Sequence, residues 1–317
     1  MNNSSKQYRI LLYYKFVNIE NPEDYARLHL NFCHALEIKG RILVAKEGIN
    51  GTISGTVAQT NSYISAMRMD PRFTDMEFKI DEAEGHAFRK MYVRAREEIV
   101  TLNAGYEIDP NKVTGKYLMP EDFLKAMNKE NTVIIDARND YEYDLGHFRN
   151  AVRPDVRTFK EFPDWVRRNA EMMKGKRVLT YCTGGIRCEK FTAVLINEGI
   201  DDVSQLKGGI INYSKDPSTR GSMFEGKCYV FDERISVDVN FAEGYKLVGK
   251  CYHCGKPHDR YVNCAHLSCH FQFICCEECE ITHKRSCSKE CEEAADHEWK
   301  IEKYRKLLPE GAGAIGN

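Results

Sequence analysis

The decapeptide YCTGGIRCEK, residues 181 to 190, gathers two thiols, two glycines and an arginine into one short loop. Cys182 ends the buried apolar run RVLTYC and stands just before a helical pattern, EKFTAVLINEG. A thiol at that place faces the positive end of a helix dipole and several unpaired N–H groups, which favours the thiolate. Arg187 adds a fixed positive charge, and Thr183, Gly184 and Gly185 let the loop backbone curl its N–H groups toward the sulfur. Such a loop stabilises a thiolate, a persulfide or an oxygenated sulfur. Cys188 has two readings: it resolves an oxidised Cys182 through a disulfide, or it is the first packed residue of the helix.

A second concentration of chemistry lies near the C-terminus. Of the 13 cysteines, nine fall between Cys251 and Cys291. Cysteine pairs with further cysteines at suitable distances match tetrahedral thiolate coordination of Zn2+. Nine supply two four-cysteine sites with one left over, either Cys275 or Cys276. The expected ligands are Cys251, Cys254, Cys264, Cys269, Cys276, Cys279, Cys287 and Cys291, with His253, His258, His266, His270 and His283 as possible substitutes. So short a segment has little besides a metal to hold it.

Two further stretches carry alternatives. In RKMYVRAREE, Lys90, Tyr92, Arg94 and Arg96 fall on one face of a strand, with Met91, Val93 and Ala95 on the other. That face is a platform for an RNA backbone and a stacked base, or a plain solvated strand face. In GINGTISG, Gly48, Asn50, Gly51 and Gly55 either cradle a phosphate or supply a hairpin turn; the hairpin is favoured.

The elements that must position these residues follow from periodicity. YRILLYYKFV, PEDYARLHLNFCHAL, GRILVAKEGINGTISG, TVAQTNSYISAMRMD, EFKIDEA and RKMYVRAREEIVTL read in the order βαββαβ with a final extended stretch, a ferredoxin-like (acylphosphatase-like) α/β sandwich over residues 1–102. Residues 103–116 read as a linker. Over 117–225, TVIIDAR, RVLTYC and VSQLKGG alternate with helices, which implies a parallel sheet covered on both faces. Residues 226–317 form the cysteine-rich segment, ending in a short helix and frayed end in EWKIEKYRKLLPEGAGAIGN. The 317 residues exceed what one core usually serves. A net charge of -1 exerts no global pull on nucleic acid, so an RNA partner must be met by a local basic face. No apolar run approaches the roughly 20 residues needed to span a bilayer, and the first residues lack a cleavage pattern, so no membrane partner and a cytoplasmic location are expected.

VIIDARNDYEYDLGHFRNAV, YCTGGIRCEK and QLKGGIINY together resemble the rhodanese domain, in their acidic strand end, GH motif, CxxxxR loop and GG motif. The six-residue loop from Cys182 to Arg187 is the size associated with sulfur-carrying rhodaneses. Asp136, Arg138, Glu142 and His147 match that family's structural positions and are expected to hold the loop in shape. The whole layout, with KEGINGTISG before the rhodanese-like domain and a tail beginning CYHCG, resembles the bacterial tRNA uridine hydroxylase family. That resemblance implies oxygen-dependent conversion of the wobble uridine U34 in the tRNA anticodon loop to 5-hydroxyuridine, with Cys182 catalytic, Arg187 and the loop amides supporting it, and molecular oxygen as co-substrate alongside an electron donor. Two chemistries fit: addition of the Cys182 thiolate to C6 of uracil, or carriage of the oxygen on the sulfur itself. The competing activity is a sulfurtransferase that passes sulfur through a Cys182 persulfide.

Overall fold

A computed structural model describes residues 7–299; the helix expected at the chain's end lies outside them from residue 300 onward. The N-terminal unit runs β1 (Tyr8–Phe16), α1 (Pro22–Ala35), β2 (Lys39–Ala45), β3 (Gly48–Thr56), α2 (Val57–Met69), β4 (Lys79–Ala83) and β5 (Met91–Ala95), with sheet order β4-β1-β3-β2-β5. The last strand extends the ferredoxin-like sheet by pairing parallel to β2 at its edge. Alternation in β1, β2 and β3 divides the side chains. Leu11, Tyr13, Ile42, Val44, Ile49 and Ile53 join the helices in a buried core. Their neighbours, Leu12, Tyr14, Arg41, Leu43, Asn50 and Thr52, occupy the opposite face.

The expected Gly/Asn turn is placed differently. The hairpin turns on Lys46 and Glu47, and GINGTISG lies within β3 itself, paired on both sides. Neither a phosphate cradle nor a turn is made by those residues; they form a central strand, with Gly48 to Ser54 paired to β1 on one side and β2 on the other.

The central unit comprises β6 (Lys116–Leu118), α3 (Pro120–Met127), β7 (Thr132–Asp136), α4 (Asp140–Leu145), β8 (Gly146–Phe148), β9 (Ala151–Val152), α5 (Phe162–Met173), β10 (Arg177–Tyr181), α6 (Ile186–Asn197), β11 (Asp202–Leu206) and α7 (Gly209–Lys215). Its sheet, ordered β6-β11-β10-β7-β9, is parallel throughout. Adjacent residues of one strand serve different cores: Val178 packs toward Phe191 and Val194, Leu179 toward Phe123 and Phe148. Both faces are therefore covered, as the apolar strands require.

β12 (Phe224–Tyr229) runs across the boundary placed at residues 225 and 226. It pairs with β8, so the start of the C-terminal segment completes the central unit; β13 (Ser236–Asp238) adds to its other edge. Beyond it come a hairpin, β14 (Tyr261–Asn263) and β15 (Gln272–Ile274), and two short helices, α8 (Glu277–Thr282) and α9 (Lys289–Glu292). No helix among the described residues is long and apolar enough to cross a membrane.

Candidate active site

Cys182 follows β10 directly, beyond the carboxyl end of a central parallel strand, where ligands of such sheets sit. Gly185, with φ of 103°, makes the left-handed turn that starts α6. The GG motif secures the loop from behind: the amides of Ile210 and Ile211 donate to the carbonyls of Cys182 and Thr183 at 3.0 and 3.2 Å. A side chain on Gly209 would overlap those carbonyls, with a Cβ 2.5 Å from the Cys182 oxygen. With the carbonyls drawn away, the Gly185 N–H is free to donate to the Cys182 sulfur at 3.1 Å.

Burial opposes ionisation of the Cys182 thiol. A hydrogen bond from the Cys188 thiol, the Arg187 charge and the amides of Cys188 and Gly185 outweigh it and bring the thiol down to about 6. The sulfur is thus a thiolate at neutral pH. Cys188 is wholly buried among Val178, Phe191 and Val194, and burial together with its partner's charge pushes its own thiol well up. It is both packed and in contact with Cys182.

Arg187 is held by a carboxylate 45 residues away in the chain. Its guanidinium donates to Glu142 Oε1 at 2.8 Å and to Oε2 at 2.5 Å, with both groups buried. Thr183 Oγ1 lies 3.4 Å from both Glu142 Oε1 and Arg187 Nη2. Asp136 and His147 stand outside this group. Asp136 grips Arg138 through two bonds of 2.8 and 2.6 Å, and Arg138 Nη2 donates to the Gly146 carbonyl at 2.6 Å. His147 stacks on Tyr143 with ring centroids 3.9 Å apart. They brace the strand ends beneath the loop and do not line its cavity.

That cavity, about 310 Å3, has two walls from different units. Cys182, Thr183, Gly184, Ile186 and Arg187 form one; the helix-free face of the N-terminal sheet, with Leu12, Tyr14, Arg41, Leu43, Asn50 and Thr52, forms the other. Phe231, half exposed, lies 5.8 Å from the Arg187 guanidinium at the rim. The units are joined beside it: Tyr14 donates to Glu189 at 2.9 Å, and Lys190 binds Glu47, Glu98 and the Val100 carbonyl at 2.8, 2.5 and 3.2 Å. Sequence reasoning missed this wall, although the polar residues alternating through β2 and β3 signal a face that no helix covers.

The basic strand adjoins the same wall. Across the sheet Tyr92 stands opposite Arg41 and Arg94 opposite Leu43, so both share the face that lines the cavity. Tyr92 and Arg94 are exposed, with the guanidinium 5.4 Å from the ring centroid. Lys90 and Arg96 are exposed just beyond the two ends of β5; Arg96 borders a separate cleft with Glu97 and Glu98.

The eight expected cysteines assemble into two groups, Cys251, Cys254, Cys276 and Cys279, and Cys264, Cys269, Cys287 and Cys291, with all Sγ atoms of a group within 4.8 Å of one another. Cys254 and Cys276 lie 3.8 Å apart, Cys269 and Cys287 3.6 Å, Cys287 and Cys291 3.6 Å. A tetrahedron of thiolates about 2.3 Å from a central ion has sulfurs about 3.8 Å apart. No histidine joins either group. His266 instead places Nδ1 3.2 Å from Cys291 Sγ and Nε2 3.0 Å from Asp296. Cys275 is the cysteine left over, buried and donating to the Cys276 carbonyl.

Three family models agree with this architecture. Residues 8–99 match the family described as UPF0176 acylphosphatase like domain, 119–216 the Rhodanese-like domain and 225–292 the Rhodanase C-terminal. Among solved structures, a rhodanese-like domain from Anabaena is similar at 20% identity over 36% of this chain and 80% of its own, with a TM-score of 0.29. A Bacillus licheniformis protein named tRNA uridine(34) hydroxylase is 61% identical over 90% of this chain and 88% of its own. A Bacillus cereus protein of the same name is 59% identical over 91% and 90%. With similarity at that level along nearly its whole length, the chain belongs to the tRNA uridine(34) hydroxylase family.

Proposed function

We propose that the protein hydroxylates the wobble uridine of tRNA at C5, with the Cys182 thiolate as its reacting group. The observation that carries this reading is the two-walled cavity. It joins a sulfur held as thiolate to a sheet face that continues outward into Tyr92 and Arg94. A single-stranded anticodon base can be splayed out of its loop into such a cavity, while Tyr92 stacks a neighbouring base and Arg94, with Lys90 and Arg96, meets the backbone.

In the chemistry we favour, the thiolate adds to C6 of uracil and electron density passes to C5. C5 then attacks an oxygen at the peroxide level, derived from O2 with two electrons from an external donor; the C5–O bond forms as the O–O bond breaks. Loss of the C5 proton expels the sulfur from C6 and regenerates the thiolate. Arg187, committed to Glu142, keeps the sulfur ionised and does not itself clamp substrate. The two cysteine groups fit one Zn2+ each, holding the C-terminal segment in shape.

The test is nucleoside mass spectrometry of tRNA from cells lacking this gene, complemented by wild type or Cys182→Ser under isotopically heavy O2. Heavy oxygen on position 34 with wild type, and none with the variant, is expected. Added heavy oxygen and sulfur in place of oxygen differ in nominal mass, so the label separates them; the appearance of sulfur would move the reading to sulfur transfer.

A further inference from the structure

A second cleft of about 230 Å3 adjoins the Cys182 cavity, and Tyr14 lines both spaces. Lys79 lies in its wall, with only 8% of its surface exposed. No carboxylate or hydrogen-bond acceptor among the described residues answers its ammonium. Its ammonium lies 5.2 Å from the centroid of the Tyr14 ring, and Glu77, Glu189 and the Cys182 sulfur act on it only through space, without a hydrogen bond or ion pair. The carboxylates around the cleft are engaged elsewhere: Asp75 with Lys15, Glu77 with Lys207 at 3.4 Å, and Glu189 with the hydroxyls of Tyr14, Tyr117 and Thr114. A buried cation without an anion is costly. Burial accordingly brings Lys79 down to about 8.

We propose that this cleft is an anion subsite in which Lys79 receives a backbone phosphate of the substrate RNA, next to the nucleotide that enters the Cys182 cavity. The inference rests on the RNA-modifying reading above. The sheet supplies the reason for a polyanion rather than a lone acid. Lys79, Leu12, Thr52, Arg41 and Tyr92 stand opposite one another in a single row across all five strands. At about 4.8 Å per strand, Lys79 and Arg41 are separated by roughly 14 Å. Leu12 and Thr52, which line the cavity, lie between them. Arg41 is exposed and, like Lys79, has no ion pair among the described residues. A chain of phosphates meets both cations at once; a small anion meets one.

The experiment compares wild type, Lys79→Met and Lys79→Arg in binding a synthetic anticodon stem-loop with uridine at position 34, across a salt series. Lys79→Met is expected to weaken binding about tenfold and to reduce the slope of log affinity against log salt by about 0.7, with thermal stability unchanged or raised. Lys79→Arg should stay within a few-fold of wild type. A neutral methylphosphonate at one linkage beside position 34 should weaken wild type by the same factor and leave Lys79→Met unaffected. Unchanged affinity and slope in Lys79→Met, with Cys182 alkylation moved to higher pH, would overturn the subsite and make Lys79 a support of the thiolate. Failure of every single-linkage substitution to reproduce the loss, with millimolar inorganic phosphate displacing RNA from wild type, would also overturn it in favour of a free-anion site. If wild type leaves U34 unmodified in the tRNA assay, the hydroxylase reading fails first; if it modifies U34 and Lys79→Met binds normally, the subsite alone fails.

Discussion

Replacing Cys188 by alanine removes the thiol that hydrogen-bonds the Cys182 sulfur while leaving Arg187 and the loop amides in place. A hydrogen bond to a charged group contributes about 1.5–3 kcal/mol, so losing it moves the midpoint of Cys182 ionisation up by about one to two pH units. Starting from about 6, the thiolate share at pH 7 falls from about 90% to between about 50% and about 10%. The rate of alkylation by iodoacetamide, followed on the peptide containing Cys182 by mass spectrometry, should fall by about two- to tenfold at pH 7. It should converge with wild type at high pH, where both are ionised. Cys188→Ser keeps a donor at the same place and should track wild type. An unchanged midpoint in Cys188→Ala would refute the assignment of the low thiol value to this contact.

Other perturbations separate the remaining parts. Tyr92→Ala should raise the KM for tRNA about five- to a hundredfold, the range expected for loss of one base stack, while Cys182 alkylation stays as in wild type; an unaltered KM would remove Tyr92 from the RNA path. Lys190→Met strands Glu47 and Glu98, each about three-quarters buried, and should cost about 1–3 kcal/mol in urea unfolding, less than a fully buried pair because water reaches both carboxylates. A loss under about 0.5 kcal/mol would show that the ion pair contributes little. Metal analysis should return two zinc ions per chain, and stripping them with a chelator should make the region after Cys251 protease-sensitive; protein purified without zinc yet equally resistant would sink the metal assignment.

The reactive loop was legible because its parts lie close together in sequence: strand end, cysteine, glycines, arginine and helix start occupy a dozen residues. Glu142 was recognised only as a structural position, since nothing local ties it to an arginine 45 residues on. The cysteine set could be chosen from spacing, but its pairing could not. Cys251 and Cys254 pass over Cys264 and Cys269 to join Cys276 and Cys279, an interleaving that only the hairpin β14–β15 and helix α8 bring about. The glycines of GINGTISG misled for a different reason. A Cβ on Gly51 would lie 2.4 Å from the Tyr13 hydroxyl, so this glycine admits a large neighbour beneath a central strand rather than turning the chain. Sequence-local reasoning weighs a glycine by its dihedral freedom and has no access to what presses on it from across the sheet.

The link from Lys190 to Glu47 and Glu98 also orders events during synthesis. The N-terminal unit leaves the ribosome first and, domains generally folding as units, takes up its fold while the helix carrying Lys190 is still unmade. Until that helix arrives, two neighbouring carboxylates lack their cation and Leu12 and Leu43 face water. Docking of α6 then gives the two acids their cation and brings the Cys182 loop to face that side of the sheet in one step. The cavity beside Cys182 therefore exists only once both units have folded and met, and the same contact that joins them completes it.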